Sequence, residues 1–282
     1  METLCIALLV NTKAGKGIAL NIAVSVSRQL QQKGIRSSLF SDAWPERLDE
    51  FTDAWIFGGD GTLNYFINRY PSATVVVSIF KAGTGNDFAS ILYGNISPEE
   101  QVAHLLQASV RRVDAGSCNE HLFLGSVGVG FDGAVLQRMQ QIRKIGSHAG
   151  YLYEVIRQIF LFREFSFRIQ GRKFLYDPRL LLVMVHNSSR TGGGFLVSPK
   201  SSVSDGLLDL ITCRPLPIWK RLRYLPAIEK GKHLRLPFID HHTDESFTIE
   251  CETELPAQCD GELIVAKRFT FHVLKDRFLF RY

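Results

Sequence analysis

Apolar runs and helix-like periodicity alternate along the first 115 residues of the chain. The continuous apolar run 4–10 has the length expected of a strand buried on both faces, and further strands are predicted over 36–40, 54–57 and 74–79. Helices are predicted over 18–32, over 63–69 and from 98 to about 109. Strands that alternate with helices predict a parallel, doubly wound α/β sheet, which binds ligands at the carboxyl ends of its strands.

The second half of the chain has a different pattern, in which short segments rich in Val, Phe, Ile and Leu recur between turns. They cover 122–127, 165–169, 180–185, 207–212, 246–250, 264–266, 269–273 and 277–280. Their number and length predict antiparallel β-structure, a sandwich or flattened barrel. Helices are predicted within it at about 133–142, 151–162 and 217–228. We therefore predict two domains, 1–115 and 116–282, with the boundary near Asp114-Ala115-Gly116.

A glycine-rich stretch, Phe57-Gly58-Gly59-Asp60-Gly61-Thr62-Leu63-Asn64, lies between the third predicted strand and the next helix. Glycines at such a turn let the backbone approach an anion closely, and the following helix presents unpaired N–H groups. A carboxylate fits a phosphate-binding turn only if a cation bridges the two, so Asp60 suggests Mg²⁺. The alternative is an ordinary connection in which Asp60 is a helix N-cap.

Two further turns repeat this arrangement of strand, glycine turn and helix start. Asn11-Thr12-Lys13-Ala14-Gly15-Lys16-Gly17 follows the first strand, and Ala82-Gly83-Thr84-Gly85-Asn86-Asp87-Phe88-Ala89 follows the fourth. The first of them lacks the spacing of a Walker A loop. Because the carboxyl ends of parallel strands meet at one edge of a sheet, we predict that the turns carrying Asp60 and Asp87 lie side by side.

Composition and charge indicate the cellular compartment of the protein and the kind of partner that it binds. The five cysteines are scattered without C-x-x-C spacing, which favours a reduced, cytoplasmic location over a disulfide scaffold or zinc site. No stretch approaches the roughly 20 apolar residues of a membrane-spanning helix. The formal net charge is +5, but residues 134–235 alone carry 18 Lys and Arg against 6 Asp and Glu. Such a basic block implies a polyanionic partner, either a membrane surface or nucleic acid.

Within that block, Leu216-Pro217-Ile218-Trp219-Lys220-Arg221-Leu222-Arg223-Tyr224-Leu225 alternates aromatic and aliphatic residues with three cations. We predict that it docks peripherally on an anionic membrane. The alternative is an ordinary amphipathic helix with Trp219 and Leu222 in the core. Nucleic acid is not expected as a partner, because the chain has no recognised nucleic-acid-binding module. A homodimer is left open.

Several local signals predict smaller features. Ser97-Pro98-Glu99-Glu100 has the pattern of a capping box with proline at the first helical position. Asp-Gly pairs at Asp132, Asp205 and Asp260 each predict a turn. His241-His242 is interpreted as an exposed loop rather than a pair of metal ligands.

The motifs together resemble the diacylglycerol-kinase-type lipid kinases, which include bacterial diacylglycerol kinase relatives and sphingosine kinases. The resemblance is carried by blocks that occur in the family's order across nearly the whole chain, namely Gly58 to Asn64, Gly83 to Ala89, Gly128-Val129-Gly130-Phe131-Asp132, Asn187, Gly192-Gly193-Gly194-Phe195, Asp205-Gly206-Leu207-Leu208-Asp209, Gly231-Lys232-His233 and Asp260-Gly261-Glu262. The chain departs from the family's usual residues at Thr12, Lys81, Ser90, Gly125 and Gly133, where Gly125 replaces a usual asparagine.

The resemblance implies an N-terminal phosphofructokinase-like α/β domain and a C-terminal β-sandwich-like domain, with the active-site cleft between them. It also implies transfer of the γ-phosphoryl group of ATP, with Mg²⁺, to the hydroxyl of a lipid such as diacylglycerol. Phosphoryl transfer needs cradled phosphates, a metal and a group that positions the attacking hydroxyl. For the nucleotide we assign Asn11, Gly15, Gly58, Gly59, Gly61, Thr62, Gly83, Thr84 and Asn86.

The remaining roles are assigned to carboxylates. Asp60 and Asp87 are expected to hold Mg²⁺, directly or through water. The resemblance favours Asp260 as the general base, with Glu262 supporting the metal, although Asp60 is an alternative base. A second, structural metal site is expected at Asp205 with carbonyls such as those of Ser202 and Leu207, unless Asp205 only forms a turn.

Two other functions remain open. The first is a soluble NAD-kinase-like or other small-alcohol kinase that shares the first glycine–aspartate loop, against which Asp260-Gly261-Glu262 and the basic block count. The second is a catalytically idle nucleotide-binding regulator, against which the intact set Asp60, Asp87 and Asp260 counts.

Overall fold

The computed structural model describes residues 4–41, 43–141 and 148–282, and their side chains except at 141 and 148–152. Contacts divide the chain into two compact units. Unit 1 comprises the chain up to Val113 together with Asp276–Tyr282, and unit 2 comprises Asp114–Lys275. The sequence predicted a single domain boundary between residues 115 and 116. The structure differs from this prediction because the last seven residues of the chain belong to unit 1.

Unit 1 is an α/β layer structure. Its elements are β1 (Cys5–Val10), α1 (Ile18–Gln32), β2 (Arg36–Phe40), β3 (Asp53–Gly58), α2 (Asp60–Arg69), β4 (Val76–Lys81), α3 (Asp87–Tyr93) and α4 (Pro98–Leu105). The strands are parallel in the order β2-β1-β3-β4. The buried faces of β1 and β3 explain why both strands read as continuous apolar runs.

Local sequence signals account for most of these bounds. The helix predicted over 18–32 is α1, and the Ser97–Glu100 capping box is present at the start of α4. The helix predicted from Leu63 begins three residues earlier, at Asp60. Gly59 is its N-cap in an extended conformation, so the glycine turn is shorter than the sequence suggested.

The last strand of the chain explains why residues 276–282 belong to unit 1. This strand, Glu262–Arg281, ends by pairing in parallel with β4, with Leu279 opposite Val76. Arg281 then donates from Nε to Oδ1 of Asp53 at 2.9 Å. Because Asp53 is buried, this ion pair supplies the opposite charge that its carboxylate requires.

Within its described residues, unit 2 is mainly antiparallel β-structure with three α-helices. Its elements are β5 (Val110–Cys118), which begins in unit 1, β6 (His121–Phe123), β7 (Ser126–Val129), α5 (Phe131–Gln141), α6 (His148–Leu161), β8 (Phe165–Gly171), β9 (Leu175–Tyr176), β10 (Arg179–Leu180), β11 (Leu182–His186), β12 (Leu208–Cys213), α7 (Ile218–Glu229), β13 (Ile239–Asp244), β14 (Ser246–Cys259) and β15 (Glu262–Arg281). The strands pair in the order β13-β12-β11-β7-β14-β15, and β8 pairs with β9, β10 and β14.

One long strand of unit 2, β14, changes its pairing partner along its length. The first half of β14 pairs with β8, and its last residues pair with β7. The pairing register of β14 with β15 shifts between Glu250 and Leu255, which is where β14 changes its neighbour. Aromatic residues of β8, β14 and β15 fill the buried core beside this strand, among them Phe247, Phe269 and Phe271.

Several predictions within unit 2 were wrong in detail. The four apolar segments between 246 and 280 were predicted as separate strands. The first lies in β14 and the other three lie in β15, because both strands continue through the polar residues beside the apolar segments. His241-His242 lies in strand β13 rather than in a loop. Asp132-Gly133 starts helix α5 instead of forming a turn, and Asp114 to Gly116 lies inside β5. Ile142, predicted as the end of α5, lies outside the described residues.

Among the described residues, the helices are all too short or too polar to span a bilayer.

Candidate active site

Two glycine loops of unit 1 meet backbone to backbone at the carboxyl ends of β3 and β4. A Cβ on Gly59 would lie 2.5 Å from the carbonyl oxygen of Gly85 and 2.9 Å from Cα of Gly83. A Cβ on Gly83 would lie 2.4 Å from Cα of Gly59. Real Cβ atoms do not approach other atoms so closely, so both positions require glycine. The structure thus brings together the two turns that the sequence placed side by side.

The loop after β1 joins the same edge of the sheet. Asn11 donates from Nδ2 to Oγ1 of Thr62 at 2.9 Å, which ties this loop to the first turn of α2. Gly15 and Gly17 have φ values of 56° and 93°, and Lys16 between them has φ 56°. A Cβ on Gly15 would lie 2.5 Å from the carbonyl oxygen of Ala82. Three loops from neighbouring strands therefore converge.

The N-terminus of α1 opens at this edge without a side-chain cap. Gly17 is its N-cap, and its first turn carries no acidic residue. Lys13 and Lys16 are exposed just before it. The helix dipole and the two nearby cations together suit the binding of an anion such as phosphate.

The remaining nucleotide candidates shape the loops around this edge. Asn86 closes the loop after β4 by accepting from N of Gly83 at 3.1 Å and donating to its carbonyl at 2.9 Å. Thr84, at the tip of this loop, is exposed. Gly58 packs under Thr62, whose Oγ1 would lie 2.2 Å from a Cβ there. Gly61 has open space where its Cβ would stand.

The carboxylate of Asp60 caps the neighbouring helix α3. Its Oδ2 accepts from N of Asp87 at 2.9 Å, and its Oδ1 accepts from N of Phe88 at 3.0 Å. Burial raises the pKa of the Asp60 carboxyl, against these two N–H groups, which lower it. A nearby cation would favour the charged carboxylate and offset the burial. Asp60 thus has a capping role, on a helix other than the one that the sequence suggested.

In unit 2, Asp260 is held by three consecutive backbone amides. Its oxygens accept from N of Leu124 at 2.8 Å, of Gly125 at 3.1 Å and of Ser126 at 2.8 Å. Asp260 and Gly261 form the two-residue turn between β14 and β15, with φ values of 45° and 93°. The carboxylate therefore anchors this hairpin to the turn between β6 and β7. Exposed Glu262 follows it, at the start of β15.

Gly125 is required for this arrangement. A Cβ at position 125 would lie 2.5 Å from Oδ1 of Asp260. An asparagine, which the resembling family usually carries there, would displace the carboxylate from the three amides. The departure at Gly125 and the position of Asp260 are thus two aspects of one local structure.

Asp132 is a further candidate carboxylate that the sequence did not single out. It lies in the first turn of α5, directly after β7, where burial raises its pKa to about 6 and a hydrogen bond with Gln258 lowers it. Gln258 in turn accepts from N of Gly261 at 2.8 Å. Asp132 is thereby linked through one side chain to the turn that carries Asp260. Its place within the Gly128-to-Asp132 block was the signal that could have found it.

The residues expected at the second metal site form an ordinary turn. Oδ1 of Asp205 accepts from N of Leu207 at 3.0 Å, and both Asp205 and Ser202 are exposed. Partial burial raises the pKa of Asp205, as do the charges of Asp209 and Asp114. Buried Asp114 fastens the same turn by accepting from N of Gly206 at 2.7 Å.

Within the described part of the chain, no group of three or more His, Cys, Asp and Glu side chains has an arrangement suited to a metal. The acidic candidates in unit 1 are Asp60 and Asp87, the first residues of α2 and α3. Two carboxylates are sufficient for Mg²⁺, which usually combines one or two of them with substrate phosphates and water. The residues present at the unit 1 loops fit such an ion.

Comparison with known proteins identifies the family. Residues 5–118 match the model described as the diacylglycerol kinase catalytic domain. Residues 125–275 match the model described as the YegS C-terminal NAD kinase beta sandwich-like domain. The second match alone covers more than half of the chain. The chain belongs to the diacylglycerol kinase and YegS family of lipid kinases, which are phosphotransferases.

Individual relatives agree with this assignment. A Pseudomonas putida protein named "Probable lipid kinase YegS-like" is 28% identical over 224 residues, covering 77% of this chain and 74% of its own length. A Mycobacterium tuberculosis "Diacylglycerol kinase" is 26% identical over 260 residues, covering 86% and 84%. A crystal structure of a diacylglycerol kinase from Bacillus anthracis superposes with a TM-score of 0.75 at 22% identity, covering 100% of this chain and 98% of that one. The predicted α/β domain followed by a β-sandwich domain is confirmed.

Proposed function

We propose that this protein transfers the γ-phosphoryl group of ATP to the hydroxyl of a lipid such as diacylglycerol. The observation that carries the proposal is the convergence of three glycine loops at one sheet edge of unit 1, with the half-buried carboxylate of Asp60 among them. The named relatives, a lipid kinase and a diacylglycerol kinase, support a lipid as the acceptor.

The loops of unit 1 would bind the phosphates mainly through backbone N–H groups. Gly59 and Gly83 keep the loop surface free of side chains, and the N-terminus of α1 adds the positive end of its dipole beside Lys13 and Lys16. Because Asn11 donates to Oγ1 of Thr62, the hydroxyl hydrogen of Thr62 remains available to a phosphate oxygen. Backbone groups at Gly15, Gly58, Gly61, Thr84 and Asn86 would complete the nucleotide site.

We assign the magnesium ion to Asp60 and Asp87. Bound there with the phosphates, Mg²⁺ would neutralise the charge that develops during transfer. Burial disfavours the charged form of Asp60, and its two hydrogen bonds to α3 hold the carboxylate in a fixed direction. The chain's own contribution is therefore an oriented carboxylate that gains stability when a cation arrives.

Asp260 is assigned to the acceptor hydroxyl. Its three hydrogen bonds from backbone amides hold the carboxylate in a fixed orientation, which makes it a well-oriented hydrogen-bond acceptor. Phosphoryl transfer proceeds through a loose transition state and depends chiefly on positioning, so a fixed hydrogen-bond acceptor serves it. Asp60 remains the alternative general base. Glu262 is proposed to support the magnesium ion. A second, structural metal ion is proposed at Asp205, with the carbonyls of Ser202 and Leu207.

A soluble kinase of the NAD-kinase type is the second candidate, because the C-terminal family model names that fold. The experiment is incubation of the protein with γ-labelled ATP and Mg²⁺ and, separately, diacylglycerol in detergent micelles, a lipid extract, NAD⁺ or soluble alcohols. Label in an extracted phospholipid supports a lipid kinase, and label only in a soluble product contradicts it. Asp49→Asn, an exposed change in unit 1, is the matched control for the inactive variant Asp60→Asn.

A further inference from the structure

Two helices of unit 2 leave large apolar side chains uncovered. Trp219 on α7 is 61% exposed and Phe160 on α6 is 51% exposed. We call the α6–α7 face the set Tyr153, Ile156, Phe160, Leu161, Ile218, Trp219 and Leu222. Monomeric proteins rarely leave so many large apolar side chains together in water, so such a face marks an interaction surface. The alternative that Trp219 and Leu222 lie in the core is wrong.

The two helices form one fixed platform. Val155 and Ile159 on the opposite side of α6 are buried against α5, and Leu225 of α7 packs on the same cluster. Arg221 joins the helices, because it donates from Nη1 to the carbonyls of Ile159 and Phe162 at 3.0 Å each. These are free carbonyls at the C-terminus of α6, where a cation is favourable.

The sequence suggested that Arg221 is one of the docking cations, but the contacts of Arg221 show that it is not. Its side chain is 9% exposed and also forms an ion pair with Glu164. The cations at the edge of the α6–α7 face are Lys220, Arg223 and Arg163. Lys220 lies over the Trp219 ring, with Nζ 5.4 Å from its centroid, so its ammonium remains beside the apolar surface.

The acidic side chains near the face do not cancel these charges. Glu154 is buried and paired with Arg157 at 2.8 Å, and Glu164 is engaged by Arg221. Exposed Glu229 is at the far end of α7. The centre of the α6–α7 face is therefore apolar and includes the Trp219 ring, whose indole N–H is polar. Cations lie at the edge of this face. This combination matches an anionic bilayer, with rings among the headgroups and cations at lipid phosphates.

We infer that the α6–α7 face docks the protein on anionic membranes through Phe160 and Trp219, with Lys220 and Arg223 contacting anionic headgroups. The inference deepens the proposed function, on which it relies for the presence of the acceptor in the same bilayer. The inference is tested by measuring vesicle binding, which does not require catalytic activity.

The experiment is co-sedimentation with phosphatidylcholine vesicles, with and without phosphatidylglycerol, at low and high salt. Phe160→Ser with Trp219→Ser should weaken binding to the anionic vesicles by about tenfold or more at both salt concentrations. Lys220→Glu with Arg223→Glu should weaken it about tenfold or more at low salt, and by less at high salt, where charges are screened. Circular dichroism checks that each variant is folded.

Matched controls change the same residue types elsewhere on unit 2. Leu175→Ser with Val265→Ser removes two equally exposed apolar side chains, and Lys173→Glu with Lys267→Glu reverses two exposed cations. Both control proteins should bind like the wild type. Equal binding by all five proteins, or binding by none, would overturn the inference. If the apolar double variant misfolds, the charge-reversal pair decides alone.

Two further measurements separate the possible failures. A wild-type dimer that the Trp219 variant loses, without vesicle binding, would assign the face to a second copy of the chain and overturn membrane docking. Kinase activity on detergent-dispersed diacylglycerol should be retained by the docking variants. Vesicle binding without any kinase activity in the wild type would leave docking intact and contradict the proposed function.

Discussion

The Asp60 side chain, at the first residue of α2, accepts a hydrogen bond from the backbone of Phe88 in α3 at 3.0 Å. A residue that begins one helix thus caps the next, and the glycine loops in front of both helices are held in contact. This link gives Asp60 a structural role in addition to its proposed role with Mg²⁺. Experiments on Asp60 must therefore measure folding and activity separately.

Asp60→Asn should abolish turnover and lower the free energy of unfolding by about 1 kcal/mol. The asparagine amide can accept from only one of the two N–H groups of α3, so part of the cap is lost. Thermal unfolding and kcat with Mg²⁺ and ATP check the two effects. A stable variant with the wild-type kcat would reduce Asp60 to a cap.

Gly59→Ala should destabilise unit 1 by about 1–3 kcal/mol and weaken ATP binding. The new methyl group would overlap the backbone of the loop after β4, which has no flexible side chain to move away. Gly61→Ala is the matched change, because open space surrounds that position in the first turn of α2. It should stabilise the protein by about 0.5–1 kcal/mol. Calorimetric unfolding with and without nucleotide compares them, and equal stability of the two variants would refute the backbone contact.

Asp260→Asn should lower kcat by roughly 10²–10⁴ and destabilise the protein by about 2 kcal/mol. The three amides that now bind a carboxylate would share a single amide oxygen. ATP binding should change little, since the proposed nucleotide site is in unit 1. Glu262→Gln on the same hairpin should leave stability unchanged, because its side chain is exposed. An unchanged kcat in Asp260→Asn would transfer the hydroxyl role to Asp60.

Stability should fall on acidification because of a buried histidine in unit 2. Burial lowers the pKa of His186 from 6.5 to about 4, against the charge of Asp209, which raises it. The unfolded chain therefore binds a proton that the folded protein excludes, and stability is lost as pH falls from roughly 6.5 to 4, by about 3 kcal/mol in total. His186→Asn should flatten this dependence in melting curves, whereas His121→Asn, at an exposed position, should not.

Arg221→Met should destabilise unit 2 by about 3 kcal/mol, because Glu164 and two carbonyls of α6 lose their buried partner. Arg223→Met on the exposed side of α7 should stay within about 0.5 kcal/mol of the wild type. Urea unfolding measures both. Similar midpoints for the two variants would contradict the role of Arg221 as the link between the helices.

The sequence was most informative where the cause of a structure is local. The apolar run of β1 and the Ser97–Glu100 capping box depend on neighbouring residues, and both were found. β14 and β15 were not found as continuous strands, because backbone pairing carries them through exposed polar residues such as Glu252 and Lys267. Their continuity depends on partners far along the chain.

In the candidate site, too, features with a local cause were predicted and features that depend on distant residues were not. Glycine loops were recognisable because they need residues without side chains, whatever surrounds them. The capping of α3 by Asp60 and the amides around Asp260 join residues 28 and 136 positions apart, and no local pattern encodes such contacts. The hydrogen bond between Nε2 of His241 and Oδ1 of Asp209, at 2.5 Å, was missed for the same reason.

The pairing of β15 with β4 has a consequence for biosynthesis. Residues 276–282 leave the ribosome only after all of unit 2, yet Arg281 neutralises buried Asp53 and Leu279 pairs beside Val76. If residues up to Val113 folded as in the complete chain before the rest was made, they would have an unpaired edge at β4 and a buried Asp53 without its cation. We therefore expect unit 1 to complete its folding only after the residues of unit 2 have been translated.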